Sequence, residues 1–271
     1  MTGAGGQLGR ALGPALAGHE VVALPRAELD IGDLAAVRAA VAAHRPSVVV
    51  NAAAYNLVDQ AESEPEAAER ANAIGPRNLA LAAAERGAAI LHVSSDYVFD
   101  GEQGRPYHER DAPNPLSAYG RSKLEGELAV REANPRHLVV RTAWVYAAVG
   151  RNFPNTIRRL AEAGPVRVVD DQTGSPTYAP HLALGLARLL SGGGYGTYHL
   201  AGSGAATWHD FAVARFAALR VACAVERAKS AEFPRPARRP RFAPLVTVRE
   251  PPVLLPPWQE GVVAYTRAVA A

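Results

Sequence analysis

The 271-residue chain has a single cysteine, Cys223, so no internal disulfide can form. In the run Ala222-Cys223-Ala224-Val225 it reads as a small buried hydrophobe of a protein from a reducing compartment, and the expected location is the cytoplasm. Long apolar runs are missing too, since none reaches the ~18 residues that a membrane-spanning helix needs. No basic start leads into an apolar stretch, so the sequence gives no secretory signal and no membrane partner is expected. An excess of one charge is also absent. Lys and Arg number 29 against 26 Asp and Glu, and a net charge of only +3 argues against a dedicated nucleic-acid binder. The histidines are scattered without metal-ligand spacing, so no metal site is expected. The scarcity of Cys and Met, beside 21 prolines, fits a heat-tolerant source. What remains is 48% apolar and 20% charged, the balance of an ordinary globular protein with one large domain or two modest ones.

Short apolar runs alternate with longer helical patterns. Strands are expected at Val21–Leu24, Val48–Ala54, Ala88–Ser95 and His137–Trp144. Between them, helices are expected from near Gln7, from Asp33 to about His44, from Ser63 to Arg86 with Gly87 closing it, and from Ser117 to about Ala133. Alternation of this kind implies a parallel sheet covered on both faces, an α/β Rossmann-type doubly wound fold. After Tyr146 the elements shorten and Pro and Gly become frequent, as in DDQTGSPTYAP and SGGGYGTYHLAG. The expected organisation is a dinucleotide-binding domain over 1–147, with roughly 179–191 packing back on it, and a smaller substrate-binding lobe over 148–271. The ligand cleft belongs at the carboxyl ends of the strands.

Three features carry chemistry. Gly3, Gly6 and Gly9, preceded by Thr2, have GxxGxxG spacing, and such glycines let the backbone approach a pyrophosphate at a helix N-terminus. Ser95 closes a buried strand, where its hydroxyl could meet a substrate carbonyl; alternatively it merely starts a turn with Asp96. Tyr119 and Lys123 lie four apart in a helical stretch and share one face. A lysine ammonium there would stabilise a phenolate and lower the tyrosine pKa, whereas the bland reading is a solvated Tyr–Lys pair.

In this order on a βαβ background, the three features resemble the extended short-chain dehydrogenase/reductase superfamily. The stretches NAAAYNLVDQAESEP, SSDYVFDG, PLSAYGRSKLEGE, RTAWVY, DDQTGSPT, YHLAGSGAATW, RPARRP and LPPWQEG narrow the resemblance to the dTDP-4-dehydrorhamnose reductase family, from Thr2 to about Gly261. That family begins with a strand directly before the phosphate turn, central in the order 3-2-1-4-5-6. Here only Met1 precedes the turn, so the first strand is expected to be missing, leaving Val21–Leu24 and Val48–Val50 on either side of a gap.

The resemblance implies NADPH- or NADH-dependent reduction of the C4 ketone of a nucleotide sugar, dTDP-4-dehydro-6-deoxy-L-mannose. It assigns proton donation to Tyr119, with Lys123 beside it and Ser95 on the same oxygen. Asp96 and Trp144 match family positions near the sugar. Cofactor contacts are expected from Gly3, Gly6, Gln7 and Leu8 at the pyrophosphate, from Asp30 and Ile31 near the adenine, and from Ala52, Ala53 and Ala54 beside the dinucleotide, besides Tyr119 and Lys123. Arg26, with Pro25 in place of an acid, leans toward NADPH because a guanidinium suits a 2′-phosphate. One or two arginines of Arg235–Arg241 could face the substrate pyrophosphate. Some relatives dimerise through a magnesium ion held partly by a glutamate of the first helix. The corresponding RALGPALAG has no acid, so the expectation is no metal and a monomer or weak homodimer. The competing readings are a nucleotide-sugar epimerase or dehydratase, and a non-catalytic NADP-binding subunit like the regulatory subunit of methionine adenosyltransferase. A dehydratase carries Asp-Glu after the strand-end residue, where this chain has Asp96-Tyr97.

Overall fold

The computed structural model describes residues 1–192 and 194–270. Gly193 and Ala271, both inside the expected second lobe, lie outside the described residues. Three parallel strands, β1 (Val48–Asn51), β2 (Ala89–Ser95) and β3 (His137–Thr142), are joined by Gly196–His199 at the far edge. Successive side chains of a strand point to opposite faces, and here both faces are buried. One face carries Val50, Leu138 and Val140 against Leu8 and Leu12 of α1 (Gln7–Ala15) and Leu182 and Leu186 of the helix Ala179–Gly192. The other carries Val49, Ile90 and Val139 against α2 (Leu34–His44), α4 (Gly75–Glu85) and α5 (Ala118–Ala133). This is the doubly wound α/β architecture.

Local chemistry explains most boundaries. The Asp33 carboxylate accepts hydrogen bonds from the Ala35 and Ala36 amides and starts α2, which stops ahead of Pro46. The single helix expected over 63–86 is divided into α3 (Pro65–Glu69), a π-turn at Arg70–Ile74, and α4. Pro76 has no N–H to give the carbonyl four residues back, at Asn72, and the ladder shifts register there. β3 ends at Thr142 rather than Trp144, whose φ of 44° leaves the extended region.

Val21–Leu24 does not form the expected strand. Among the described residues its backbone partners are Met1 and Thr2: the Leu24 amide donates to the Met1 carbonyl at 2.8 Å, and the Thr2 amide to the Val50 carbonyl at 2.9 Å. Thr2 thus forms parallel bridges to both Leu24 and Asn51. Its place is second from the edge rather than central, because among the described residues no strand lies beyond Val21–Leu24. Next to it, Val21, Val22, Val48 and Val49 flank a cleft of about 480 Å³ that Leu16, Val41 and Leu79 also line.

Beyond Tyr146 lie the helices Phe153–Ala161, Trp208–Leu219 and Trp258–Ala270 and the parallel pair Val166–Val169 and Val225–Ala228. Tyr146, Tyr178, Phe211, Trp258 and Tyr265 form an aromatic core there. Cys223 is half-buried rather than buried, because it sits in the loop after Trp208–Leu219 with its thiol 3.6 Å from the Gly164 carbonyl. No described helix is long and apolar enough to cross a membrane, and no described group of His, Cys, Asp or Glu could hold a metal ion.

Behind the site, α5 is tied to β3 by a buried ion pair. Arg141 donates to Glu127 at 2.8 and 2.7 Å, with side-chain exposures of 2% and 0%. Arg131 adds a third bond to the same carboxylate from the surface. Removing Glu127 strands the Arg141 charge in a dry interior, at a cost of about 3–5 kcal/mol, whereas Glu127 keeps Arg131 when Arg141 is lost. Glu127→Met should therefore lower the urea midpoint steeply, and adding Arg141→Met should recover much of the loss, because the double variant leaves no fully buried lone charge.

Candidate active site

The carboxyl ends of β1, β2 and β3 open into a cavity of about 400 Å³. On one side lies the phosphate-type turn. Gly3 has a φ of +72°, and a Cβ there would come within 2.6 Å of the Ala52 and Ala53 backbone, so only glycine fits. The Gly6 amide closes the turn on the Gly3 carbonyl. α1 starts at Gln7 with no side-chain cap and no acid in its first turn. Its first N–H groups and positive dipole end therefore suit an anion, and the turn fits the pyrophosphate of a dinucleotide.

Opposite the turn stand Ser95, Asp96, Tyr119 and Lys123, which line the same cavity. Ser95 ends β2, and its hydroxyl donates to Asp96 at 3.0 Å and accepts from the Tyr97 amide. α5 is aimed into the cavity by two caps: Ser117 accepts from the Gly120 amide, and Glu62, across the chain, accepts from the Ala118 amide at 2.8 Å. Tyr119 packs edge-on against Tyr97, with ring centroids 5.4 Å apart, and its hydroxyl lies 3.5 Å from Asn56 Oδ1. Lys123 Nζ donates to the Val93 carbonyl at 2.8 Å.

Burial dominates the electrostatics. It pushes the Asp96 carboxyl up to about 7, against the hydrogen bond from Ser95. It pushes the Tyr119 phenol up to about 12, against a hydrogen bond with Ser95. It draws the Lys123 ammonium down to about 8, with Glu127 opposing. The expected lowering of the Tyr119 pKa by Lys123 does not appear: burial raises the phenol, and the Lys123 ammonium is given to the Val93 carbonyl.

Gly6, Gln7, Leu8, Ala52, Ala54 and Trp144 also line the cavity. Gly3, Arg26, Asp30, Ile31 and Ala53 do not. Gly3 shapes the turn from beneath, and Ala53 donates its amide to Asn51 Oδ1. Ile31 is buried in the core beside Gly75. Asp30 is exposed and pairs with Arg70 at 2.8 Å, and Arg26 is exposed nearby.

Sequence reasoning missed Asn56, Asn152, Phe153 and Trp208 on the cavity wall. It also missed what the Gln7 side chain does. Gln7 Oε1 accepts from the Ala147 amide at 3.1 Å and from Asn152 Nδ2 at 2.7 Å, which fastens the turn to the segment that follows Tyr146. Trp144 keeps its left-handed backbone, a strain of about 1–3 kcal/mol for a non-glycine residue. In Arg235–Arg241, Arg239 is held by Asp59 at 2.6 and 2.8 Å, while Arg235, Arg238 and Arg241 are exposed.

A doubly wound sheet with a glycine turn and a Ser–Tyr–Lys set facing each other across its carboxyl-end cavity defines a protein of the extended short-chain dehydrogenase/reductase class. Within it, the chain belongs to the family described as RmlD substrate binding domain, which it matches over residues 1–270. It is 48% identical over 255 residues to the dTDP-4-dehydrorhamnose reductase of Streptomyces griseus, covering 90% of this chain and 84% of that one. Its structure is similar to that of a dTDP-4-dehydrorhamnose reductase from Clostridium acetobutylicum, with a TM-score of 0.97 at 40% identity over 100% of this chain and 98% of that one. It is likewise similar to the Bacillus anthracis dTDP-4-dehydrorhamnose reductase in complex with NADP, with a TM-score of 0.95 at 35% identity over 98% and 97%.

The Asp96 carboxyl yields a pH prediction. Its folded pKa of about 7 lies above the ordinary 3.8, so its contribution to stability is fully present below 3.8 and is lost as pH rises through 7. Asp96→Asn should remove that loss. In urea titrations the variant should gain on the wild type by up to about 4 kcal/mol between pH 4 and 8.

Proposed function

We propose that this protein reduces the C4 ketone of dTDP-4-dehydro-6-deoxy-L-mannose to dTDP-L-rhamnose, using NADPH or NADH. The observation that carries the reading is the meeting of Ser95, Tyr119 and Lys123 with the Gly6–Leu8 turn around one cavity. The dTDP-4-dehydrorhamnose reductases at 40–48% identity, and the relative bound to NADP, support it. A reduced nicotinamide, when bound, would supply the hydride that the ketone carbon needs. Tyr119 gives its phenolic proton to the oxygen as charge develops there, so one hydride and one proton convert the ketone to the alcohol. Ser95 holds that oxygen by a hydrogen bond. Lys123, freed from the Val93 carbonyl, orients the nicotinamide ribose and offsets the phenolate charge. Asp96 and Trp144 border the sugar. Gly3, Gly6, Gln7 and Leu8 hold the pyrophosphate, Ala52, Ala53 and Ala54 flank the dinucleotide, and Asp30 and Ile31 mark its adenine end.

The same proposal divides the chain into a dinucleotide-binding part, 1–147 with roughly 179–191, and a substrate lobe over 148–271. It has the enzyme act in the cytoplasm as a monomer or weak homodimer.

The test follows NADPH oxidation with enzymatically generated dTDP-4-dehydro-6-deoxy-L-mannose. Tyr119→Phe should lower turnover by about 10²–10⁴ while NADPH still binds. Wild-type protein that binds NADPH and turns over none of this ketone would remove the reductase reading and favour a binding subunit. Arg26→Asp should raise the KM for NADPH and leave that for NADH nearly unchanged, because the guanidinium is assigned to the 2′-phosphate alone. Equal effects on both coenzymes would sink that assignment.

A further inference from the structure

Residues 147–152 join Val145–Tyr146 to the helix Phe153–Ala161 without regular structure, and Arg151, Asn152 and Phe153 stand on the cavity wall. On one side the segment is anchored. Asn155 Nδ2 donates to the Gly150 carbonyl at 2.9 Å, and Asn155 Oδ1 accepts from the Tyr265 hydroxyl at 2.6 Å, at the aromatic core. On the other side it has a single hold. Among the described residues, every hydrogen bond from 147–152 to a residue outside 147–156 ends on the Gln7 side chain.

That hold is closely fitted. Gly150 has a φ of +90°, and a Cβ there would come 3.1 Å from Gln7 Cγ, so glycine lets the chain wrap the side chain. Gln7 Oε1 takes the bonds from Ala147 and Asn152, and Nε2 faces the Arg151 carbonyl at 3.5 Å. Gln7 is also the first residue of α1. Its backbone therefore belongs to the turn assigned to the pyrophosphate, while its side chain belongs to the wall across the cavity. Asn152 is the matching hub. Its Nδ2 bonds Gln7 and, at 2.8 Å, the Ala147 carbonyl, and its Oδ1 caps the helix by accepting from the Asn155 amide at 3.0 Å.

We propose that the Gln7–Asn152 pair is a latch that makes the binding of coenzyme and sugar nucleotide cooperative, with Asn152 as the positioning residue of the wall. A pyrophosphate at the turn fixes the Gln7 backbone, and a fixed Gln7 holds Ala147 and Asn152 in place. The second ligand then meets a wall that the first has already ordered, so each binds more tightly in the presence of the other. By linkage the factor is the same in both directions. The inference rests on the reductase reading for the identity of the two ligands, but its measurement needs no turnover.

Calorimetric titration with NADPH and dTDP-L-rhamnose tests it, since these two are both reduced and cannot react with each other. In the wild type each should tighten the other by ~5-fold or more, by the same factor whichever is added first. Asn152→Ser keeps a cap on the helix but does not reach Gln7, and Gln7→Met keeps the length of the side chain but loses the acceptor. Either change should bring the factor close to one, whatever it does to each affinity alone, and the double variant should lower it no further. Hydrogen exchange gives a second readout: NADPH alone should slow exchange across 147–157 in the wild type and not in Asn152→Ser. A factor of one in the wild type, or a factor that survives in Asn152→Ser, overturns the proposal. So does a segment whose exchange is indifferent to NADPH. If the wild type shows the coupling but reduces no ketone, the reductase reading fails and the latch stands. If the ketone is reduced and Asn152→Ser keeps the full coupling, the latch fails alone.

Discussion

Asn51 fixes three stretches of chain at one point, and the geometry of the cavity depends on it. A fully buried amide is costly unless all its groups are paired. Here Oδ1 accepts from the Thr2 hydroxyl at 2.8 Å and from the Ala53 amide at 3.0 Å, while Nδ2 faces His92 Nδ1 at 3.1 Å. The turn before α1, the end of β1 and the middle of β2 are thereby held in register. Because Nδ2 can only donate, His92 Nδ1 is the acceptor and the ring carries its proton on Nε2. Burial and the nearby Lys123 charge both hold His92 well below its usual pKa. Lys123 is therefore not rivalled by a second cation beneath the strand ends, and the Asn51 hub also shapes the field in which it sits.

That field favours neutral groups. Asp96 and Tyr119 are raised and Lys123 is lowered, each chiefly by burial. For a proposed reduction this direction is useful. A proton donor must keep its proton until negative charge appears on the substrate oxygen, and a desolvated phenol does so. Once charge develops, the same dryness strengthens the attraction of a lysine released from its carbonyl. In the proposed reduction, activation by Lys123 would thus come with ligand binding, since in the protein alone the ammonium is held by the Val93 carbonyl.

The residues legible in the sequence were those whose roles are set locally. Gly3, Gly6 and Gly9 are readable because a turn dictates its own spacing, and Tyr119 and Lys123 because a helix does. Ser95 is readable because an apolar run ends there. Trp208, Phe153 and Asn152 carry no such local signal: their part in the cavity comes from where separate elements beyond Tyr146 pack, and spacing along the chain does not show that. The Gln7 amide reaches Ala147, 140 positions away, and nothing near either residue announces it. Val21–Leu24 failed for a related reason. Its pattern suits a strand, yet a strand exists only through its partner, and here the partner is the two residues Met1 and Thr2.

The acidic stretch VDQAESEP shows how a motif can be recognisable before its physics is. Two of its carboxylates reach out of the segment in different directions. Glu62 caps α5 one residue before Tyr119. Asp59 grips Arg239 with both oxygens, and the Ala237 amide also donates to it, so the basic loop 235–241 is pinned to this segment. The Asp59 carboxyl is held below its ordinary pKa by that guanidinium, so the pair stays ionised around neutrality. The segment therefore does two jobs at one rim of the cavity: it aims the helix that carries the proposed acid, and it anchors the loop that leaves Arg235 and Arg238 exposed. A charge reversal at Asp59 would release that loop without touching any group assigned to the chemistry, which separates the spacing of the two parts from the reaction between them.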